Sequence, residues 1–287
     1  MILVTGATGN IGRELTRELD AKGATLRLLV RDPARAARLP ERAERVVGDL
    51  GDPATLAPAF DGVDQLFLLT QGIGTHYTAA AVTAAEAAGV HHIVHLSSFH
   101  VTFDPIPAMG RWHHEREKII RASGMAATFL RPGGFMTNAL DWLPTIREGN
   151  YVLDPVGPGR YAPIDPADIA AVAALALTET GHQDKEYVLT GGEMFTVNQQ
   201  VRIISETIAR AIEVRETATP AEAVRFRFPN GAPQALADAI TEGITLMRAD
   251  TVGLRTDTVE RLLGRRPRTF ADWCARHAEA FRQPETA

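Results

Sequence analysis

Short apolar runs alternate with helix-length amphipathic stretches through the first half of the chain. Runs at residues 1–5, 25–30, 44–48, 65–69, 92–96 and 127–131 have the length and composition of strands. The stretches 11–22, 34–38, 52–60, 76–88 and 109–123 between them space their apolar residues as helices do, and Gly124 is placed to cap the last. Strands separated by helices predict crossover units and a parallel sheet buried on both faces. The second half is less regular. It predicts strands at 161–163, 186–190 and 214–217, and helices at 167–178, 197–211, 233–247, 257–263 and 269–281. Pro233 suits the first turn of its helix, where a missing N–H costs nothing. Loop signals concentrate at 104–107 and 154–159, with no internal repeat or long linker, so the two halves are expected to share one body.

Composition narrows the class. The 45% hydrophobic and 23% charged residues of this 287-residue chain fit a folded globular protein and exclude a disordered one. A net charge of −5 argues against wholesale capture of nucleic acid or anionic lipid, and no basic helix or helix-turn-helix pattern stands out. The one cysteine, Cys274, can form no internal disulfide and no paired-cysteine zinc site. A reducing, cytoplasmic location is the expectation. No secretory leader is expected, because the opening residues already read as a strand entering a glycine motif. The alanine-rich stretch 79–88 is broken by Thr and Glu and falls short of a membrane span.

That motif is Thr5-Gly6-Ala7-Thr8-Gly9-Asn10-Ile11-Gly12, with glycines three apart between a strand and a helix. A tight turn and close backbone approach to a pyrophosphate both need a missing Cβ, and the helix start offers free N–H groups to phosphate oxygens. At the end of the second strand, NAD-preferring proteins place Asp or Glu against the ribose hydroxyls. Here Arg31 stands first, with Arg35 and Arg38 nearby. Its guanidinium matches a 2′-phosphate, which favours NADP(H) over NAD(H); Asp32 beside it is the competing signal. Asp49, after the third strand, is either an adenine contact or a turn residue. Leu69-Thr70-Gln71-Gly72 and Ser97-Ser98-Phe99 close the fourth and fifth strands, at the sheet edge where such folds bind ligands.

These segments, with His95-Leu96-Ser97-Ser98, His113 and Glu117, Leu130-Arg131-Pro132-Gly133 and Gly264-Arg265-Arg266-Pro267, make the chain resemble the NmrA-like NAD(P)-binding proteins of the atypical short-chain dehydrogenase/reductase superfamily. The resemblance spans nearly the whole chain. It implies a Rossmann-type doubly wound parallel sheet at 1–155, with a small α/β C-terminal subdomain at 156–287 packed on it as one body and forming one side of a substrate cleft. It also implies a cofactor site drawn from Gly6, Thr8, Gly9, Asn10, Ile11, Gly12, Arg31, Asp49, Leu50, Thr70, Gln71, Ser97, His113, Pro132 and Phe135.

The superfamily's usual acid/base is a Tyr with a Lys four residues later on one helix face, where the ammonium lowers the phenol pKa. The four tyrosines here, Tyr77, Tyr151, Tyr161 and Tyr187, are followed at that spacing by Ala81, Pro155, Asp165 and Gly191. The dyad is absent. On the corresponding helix two registers compete. One puts Met109 and His113 in the two places, on a face shared with Glu117 and Ile120; the other uses His114 and Lys118. His113 is therefore the candidate catalytic residue, with a ribose contact as its alternative role. His114-Glu115 lacks the second histidine of a helical zinc motif, so no metal site is expected.

Phe99, Met109, Phe135, Trp142 and Phe228, from segments 99–107, 135–142 and 226–246, are the candidate substrate contacts, or else a seal between the two halves. The function expected is NADPH-dependent reduction of a small apolar quinone or carbonyl compound by a monomer or homodimer. A quinone tolerates the missing tyrosine better than a ketone does. The alternatives are a non-catalytic NAD(P) sensor acting through a protein partner, and a redox-neutral pathway enzyme on the same fold.

Overall fold

The computed structural model describes residues 1–217, 219–251 and 253–282. Nine strands and eleven α-helices are found among them. In chain order they are β1 (Ile2–Val4), α1 (Asn10–Ala21), β2 (Leu26–Val30), β3 (Glu44–Val47), α2 (Leu56–Phe60), β4 (Gln65–Leu68), α3 (His76–Ala88), β5 (His92–Leu96), α4 (Ala108–Ala122) and β6 (Ala126–Pro132). Then follow α5 (Leu143–Gly149), β7 (Tyr151–Asp154), α6 (Pro166–Thr178), β8 (Glu186–Leu189), α7 (Val197–Ile208), β9 (Glu213–Glu216), α8 (Pro220–Arg227), α9 (Gln234–Arg248), α10 (Thr258–Leu263) and α11 (Phe270–Arg282).

Seven strands form one parallel sheet in the order β3-β2-β1-β4-β5-β6-β8. The order reverses between β1 and β4, which is the switch point of a doubly wound sheet. All residues of β1, β2 and β5 are buried, as a strand covered on both faces requires. Leu3, Leu66, Leu68, Ile93 and Phe129 pack with α2, α3 and Ile120 of α4 on one face. On α3 small residues do the packing, with Ala81 and Ala85 fully buried, and Gly89 closes the helix in the left-handed conformation at φ 75°. Helices α1 and α6 pack together.

Two compact units are present. The first holds residues 1–103, 110–132 and 166–189, and therefore the whole seven-stranded sheet. The second holds 104–109, 133–165 and the chain from Thr190 onward. The units interleave, so the boundary differs from the expected one at 155/156: β6 hands the chain to the second unit, and α6 with β8 returns it to the first. In the second unit, β7 and β9 form a separate parallel pair. Its core gathers Ile146, Val152, Val201, Ile204, Phe270, Trp273 and Phe281.

Two differences from the pattern reading have local causes. Residues 161–163 form no strand; Tyr161 makes one antiparallel bridge with Phe195, and Ile164 one parallel bridge with Phe135. Three proline or aspartate positions in four residues, Pro163, Asp165 and Pro166, interrupt any ladder there. Helix α7 stops at Ile208, because Ala209 turns left-handed at φ 53° and its N–H returns to Glu206 O.

Candidate functional site

The glycine loop lies where β1 meets α1. Gly6 adopts φ 66°, a conformation that favours glycine, and Gly9 N–H closes the turn on Gly6 O at 3.0 Å. At Gly12 a Cβ would lie 2.2 Å from Gly6 O and 2.6 Å from Ala7 Cα, so only glycine admits the helix this close to the loop. No side chain caps α1. Its first bond runs from Arg13 N to Gly9 O at 3.0 Å, which leaves the N–H groups of Asn10, Ile11 and Gly12 without helical acceptors. Such an end attracts anions. The Thr5 hydroxyl fixes the loop across the switch point: it meets Phe67 O and Leu69 O at 3.2 Å and accepts from Leu69 N at 2.8 Å. Uncapped N–H groups beside a glycine cradle fit a dinucleotide pyrophosphate.

Arg31 follows β2 and is exposed. Asp32 commits one carboxylate oxygen to local structure. Its Oδ1 accepts Ala34 N–H at 2.9 Å and caps a 3₁₀ turn at Pro33–Ala36. Its second oxygen has no partner among the described residues. Asp49 is similarly occupied at one oxygen, which accepts Gly51 N–H at 2.8 Å, while Leu50 packs on the core beneath. The turn role of Asp49 is therefore present, with the second oxygen left for another partner.

Beyond the switch point, Thr70 is buried with its hydroxyl 3.3 Å from that of Thr78, and Gln71 is exposed. Ser97 donates to Glu117 Oε1 at 2.6 Å. Ser98 turns away to His100, meeting its Nδ1 at 2.8 Å. On α4, Glu117 and Ile120 are buried, whereas Lys118 is exposed and bonds Glu115 at 2.7 Å. The register with His113, Glu117 and Ile120 inward is the one adopted, and the His114–Lys118 alternative is not.

His113 Nδ1 is buried without a partner, and so is Nε2 of His95, whose Nδ1 meets Leu68 O at 3.0 Å. A carbonyl only accepts, so His95 carries its proton on Nδ1. Burial, with the Arg116 guanidinium and repulsion from His95 should it protonate, pushes the His113 pKa down to about 3. Burial and Arg116 push His95 to about 3 as well. Both rings are neutral at ordinary pH.

Of the remaining candidates, Pro132 closes β6 in the first unit, where Phe99 is also buried and packs edge-on against Phe103 at 5.1 Å. Met109, Phe135, Trp142 and Phe228 belong to the second unit. Trp142 packs on that unit's core, Phe135 bridges Ile164, and Phe228 ends α8. Among the described residues no group of three or more His, Cys, Asp or Glu could hold a metal ion.

Three supporting residues were given no role by the pattern. Arg131 grips Glu117 from β6, and Glu186 on β8 pairs with Arg131 in turn. Arg116 bonds backbone carbonyls of the β4–α3 loop. The signal for the first was available: a buried Glu on the inner face of α4 needs a cation, and Arg131 is the charged residue at the end of the next strand.

Comparison with known proteins places this geometry in a family. A family model described as NAD(P)H-binding matches residues 6–180. The chain is 38% identical over 285 residues to an NAD(P)H azoreductase of Xenophilus azovorans, covering 98% of this chain and 99% of that one. It is also 38% identical over 282 residues to a (4-alkanoyl-5-oxo-2,5-dihydrofuran-3-yl)methyl phosphate reductase of Streptomyces griseus, covering 98% and 99%. A crystal structure of an Escherichia coli NADPH-dependent quinone oxidoreductase complexed with NADPH superposes with a TM-score of 0.83 at 28% identity, over 96% of this chain and 99% of that one. With its glycine cradle, switch point and inward His113–Glu117 face, the chain belongs to the NAD(P)H-binding, NmrA-like group of atypical short-chain dehydrogenase/reductases and is an oxidoreductase of that family.

Proposed function

We propose that the protein is an NADPH-dependent reductase of small apolar acceptors of the quinone, conjugated-carbonyl or azo type. The observation that carries the cofactor preference is the exposed Arg31 guanidinium at the end of β2, beside an Asp32 that has one carboxylate oxygen committed to capping the turn at Ala34. The relatives support the acceptor class: they are an azoreductase, a reductase of a (4-alkanoyl-5-oxo-2,5-dihydrofuran-3-yl)methyl phosphate and a quinone oxidoreductase.

Gly6, Thr8, Gly9, Asn10, Ile11 and Gly12 would hold the pyrophosphate, and Arg31 the 2′-phosphate. Asp49 and Leu50 would border the adenine. Thr70, Gln71, Ser97, His113 and Pro132 of the first unit would border the nicotinamide half. Bound NADPH supplies the hydride. A quinone taking up that hydride and one proton from water becomes a hydroquinone, so no tyrosine acid is required at the acceptor. His113, held neutral, would accept a ribose hydroxyl and not act as an acid. Within the second unit, Met109, Phe135, Trp142 and Phe228 would be the apolar side chains offered to the acceptor.

The test is equilibrium titration of the protein and its Arg31→Ala variant with NADPH and NADH, followed by turnover on quinones, enones and azo dyes at saturating NADPH. The reading expects NADPH to bind at least tenfold tighter than NADH in the parent, and this preference to collapse in the variant. Loss of NADPH absorbance must depend on the acceptor. Tight binding with no turnover on any of the three classes would replace the reductase with a cofactor sensor.

A further inference from the structure

Arg116 is 2% exposed, yet among the described residues it forms no ion pair. Its guanidinium is spent on the loop that joins β4 to α3. Nε donates to Gly74 O at 3.0 Å, Nη1 to Thr70 O at 3.5 Å, and Nη2 to Gly72 O. Gly72 and Gly74 adopt φ of 80° and 88°, a conformation few other residues would take. Carbonyl dipoles satisfy the donors and leave the net charge in place.

The neighbours do not cancel that charge. His95 and His113 are neutral, and Glu117, next in sequence, is committed to Ser97 and Arg131. A buried charge without a counter-ion is costly to keep, and clamping a loop would not by itself require one, because a neutral amide can also donate to carbonyls. The charge sits on the β4–β5 side of the switch point, opposite the β1–β3 side where Arg31 and Asp49 lie. In a doubly wound sheet the two halves of a dinucleotide divide across that point.

We propose that Arg116 is a positioning residue that shapes the Thr70–Gly74 loop and biases the site toward reduced cofactor, because its uncompensated charge opposes the cationic nicotinamide ring of the oxidised form and spares the neutral ring of the reduced form. This rests on the cofactor reading above. It gives the site a direction: once hydride has left, the cofactor has gained a positive charge that Arg116 disfavours, and release of the oxidised form is promoted.

The experiment is equilibrium binding of NADPH, NADP⁺ and 2′,5′-ADP to the full chain and to Arg116→Met, Arg116→Gln and Arg116→Lys, without any acceptor. Through an effective dielectric of about 20, a unit charge about 12 Å from a second changes the binding of that second charge by roughly tenfold. The parent should therefore bind NADPH about tenfold tighter than NADP⁺. Methionine or glutamine should bring that ratio to about two or less, lysine should retain most of it, and 2′,5′-ADP, which has no nicotinamide, should stay within about twofold throughout. Glutamine keeps donors for the loop and remains informative if the methionine variant does not fold. A parent ratio near one, an unchanged ratio in the neutral variants, or equal weakening of all three ligands would each overturn the proposal. Failure of the parent to bind any of them would overturn the cofactor reading itself.

Discussion

Arg131 and Glu117 meet as a two-pronged pair, Nε to Oε1 at 3.0 Å and Nη2 to Oε2 at 2.6 Å, with Glu117 2% exposed. This fork joins the end of β6 to the inner face of α4, and the Ser97 hydroxyl adds the end of β5 to the same carboxylate. Three segments at the C-terminal edge of the sheet are thus held by one side chain, one helical turn from His113. The position of that histidine is inherited from the pair.

Breaking the pair should cost more than its net worth, because one partner is left buried and uncompensated. Glu117→Ala is expected to lose about 3–5 kcal/mol of unfolding free energy. Arg131→Met should lose a similar amount. The double variant should be less destabilised than the sum of the two by more than about 1 kcal/mol. Urea unfolding of the four proteins measures the cycle, and additive losses would refute the coupling.

The glycines of the loop should rank by what a Cβ meets. Gly12→Ala drives a methyl group against backbone atoms at 2.2 and 2.6 Å, and neither can yield without moving the loop. It should cost about 3 kcal/mol or more and abolish cofactor binding. Gly6→Ala meets only the Leu69 side chain at 3.3 Å and adds the strain of φ 66°, for about 1–2 kcal/mol. Gly23→Ala, with open space around it and φ 75°, should cost about 1 kcal/mol and leave binding intact. Thermal unfolding with and without NADPH checks the order.

Cys274 reports on the second unit. It is 1% exposed within that unit's core, and burial pushes its thiol up to about 12. The thiolate is the reactive form, so an aromatic disulfide reagent at pH 8 should label native protein slowly and unfolded protein at once. The native rate should rise with sub-denaturing urea as the unit opens. Fast labelling in native buffer would show that the thiol is accessible without unfolding.

Most of the sheet was legible because its strands are continuous apolar runs with glycine or aspartate punctuation, as at 92–96, where the expected and observed bounds agree. The glycine loop was legible because its backbone needs are written in one residue type. Helix α5 and strand β7 were not predicted. Each is short, and β7 pairs with β9 across about sixty intervening positions, a partnership no local pattern encodes. Likewise the capping role of Asp32 could not be read from the string: Asp before Pro33 suits both a ribose contact and a cap, and the hydrogen bond from Ala34 shows that the cap is made. Arg116 was invisible for the opposite reason. A charged residue on an amphipathic helix reads as solvated until the loop carbonyls around it are seen.

Two neutral histidines give the last prediction. Folding holds His95 and His113 at about 3, against about 6.5 in the unfolded chain. Between those values the unfolded chain binds the extra protons. The contribution of each ring is therefore complete above about pH 6.5 and is lost as pH falls toward 3, at about 1.4 kcal/mol per pH unit per histidine. Stability of the parent should drop steeply from pH 7 to pH 5. In His113→Gln, which has no ring to protonate, the drop should be shallower by about that slope, so that any deficit at pH 7 narrows at pH 5. The same neutrality means kcat/KM should show no ionisation near 6.5 that disappears in His113→Gln. Such an ionisation would make His113 an acid in turnover and return it to the role of proton donor.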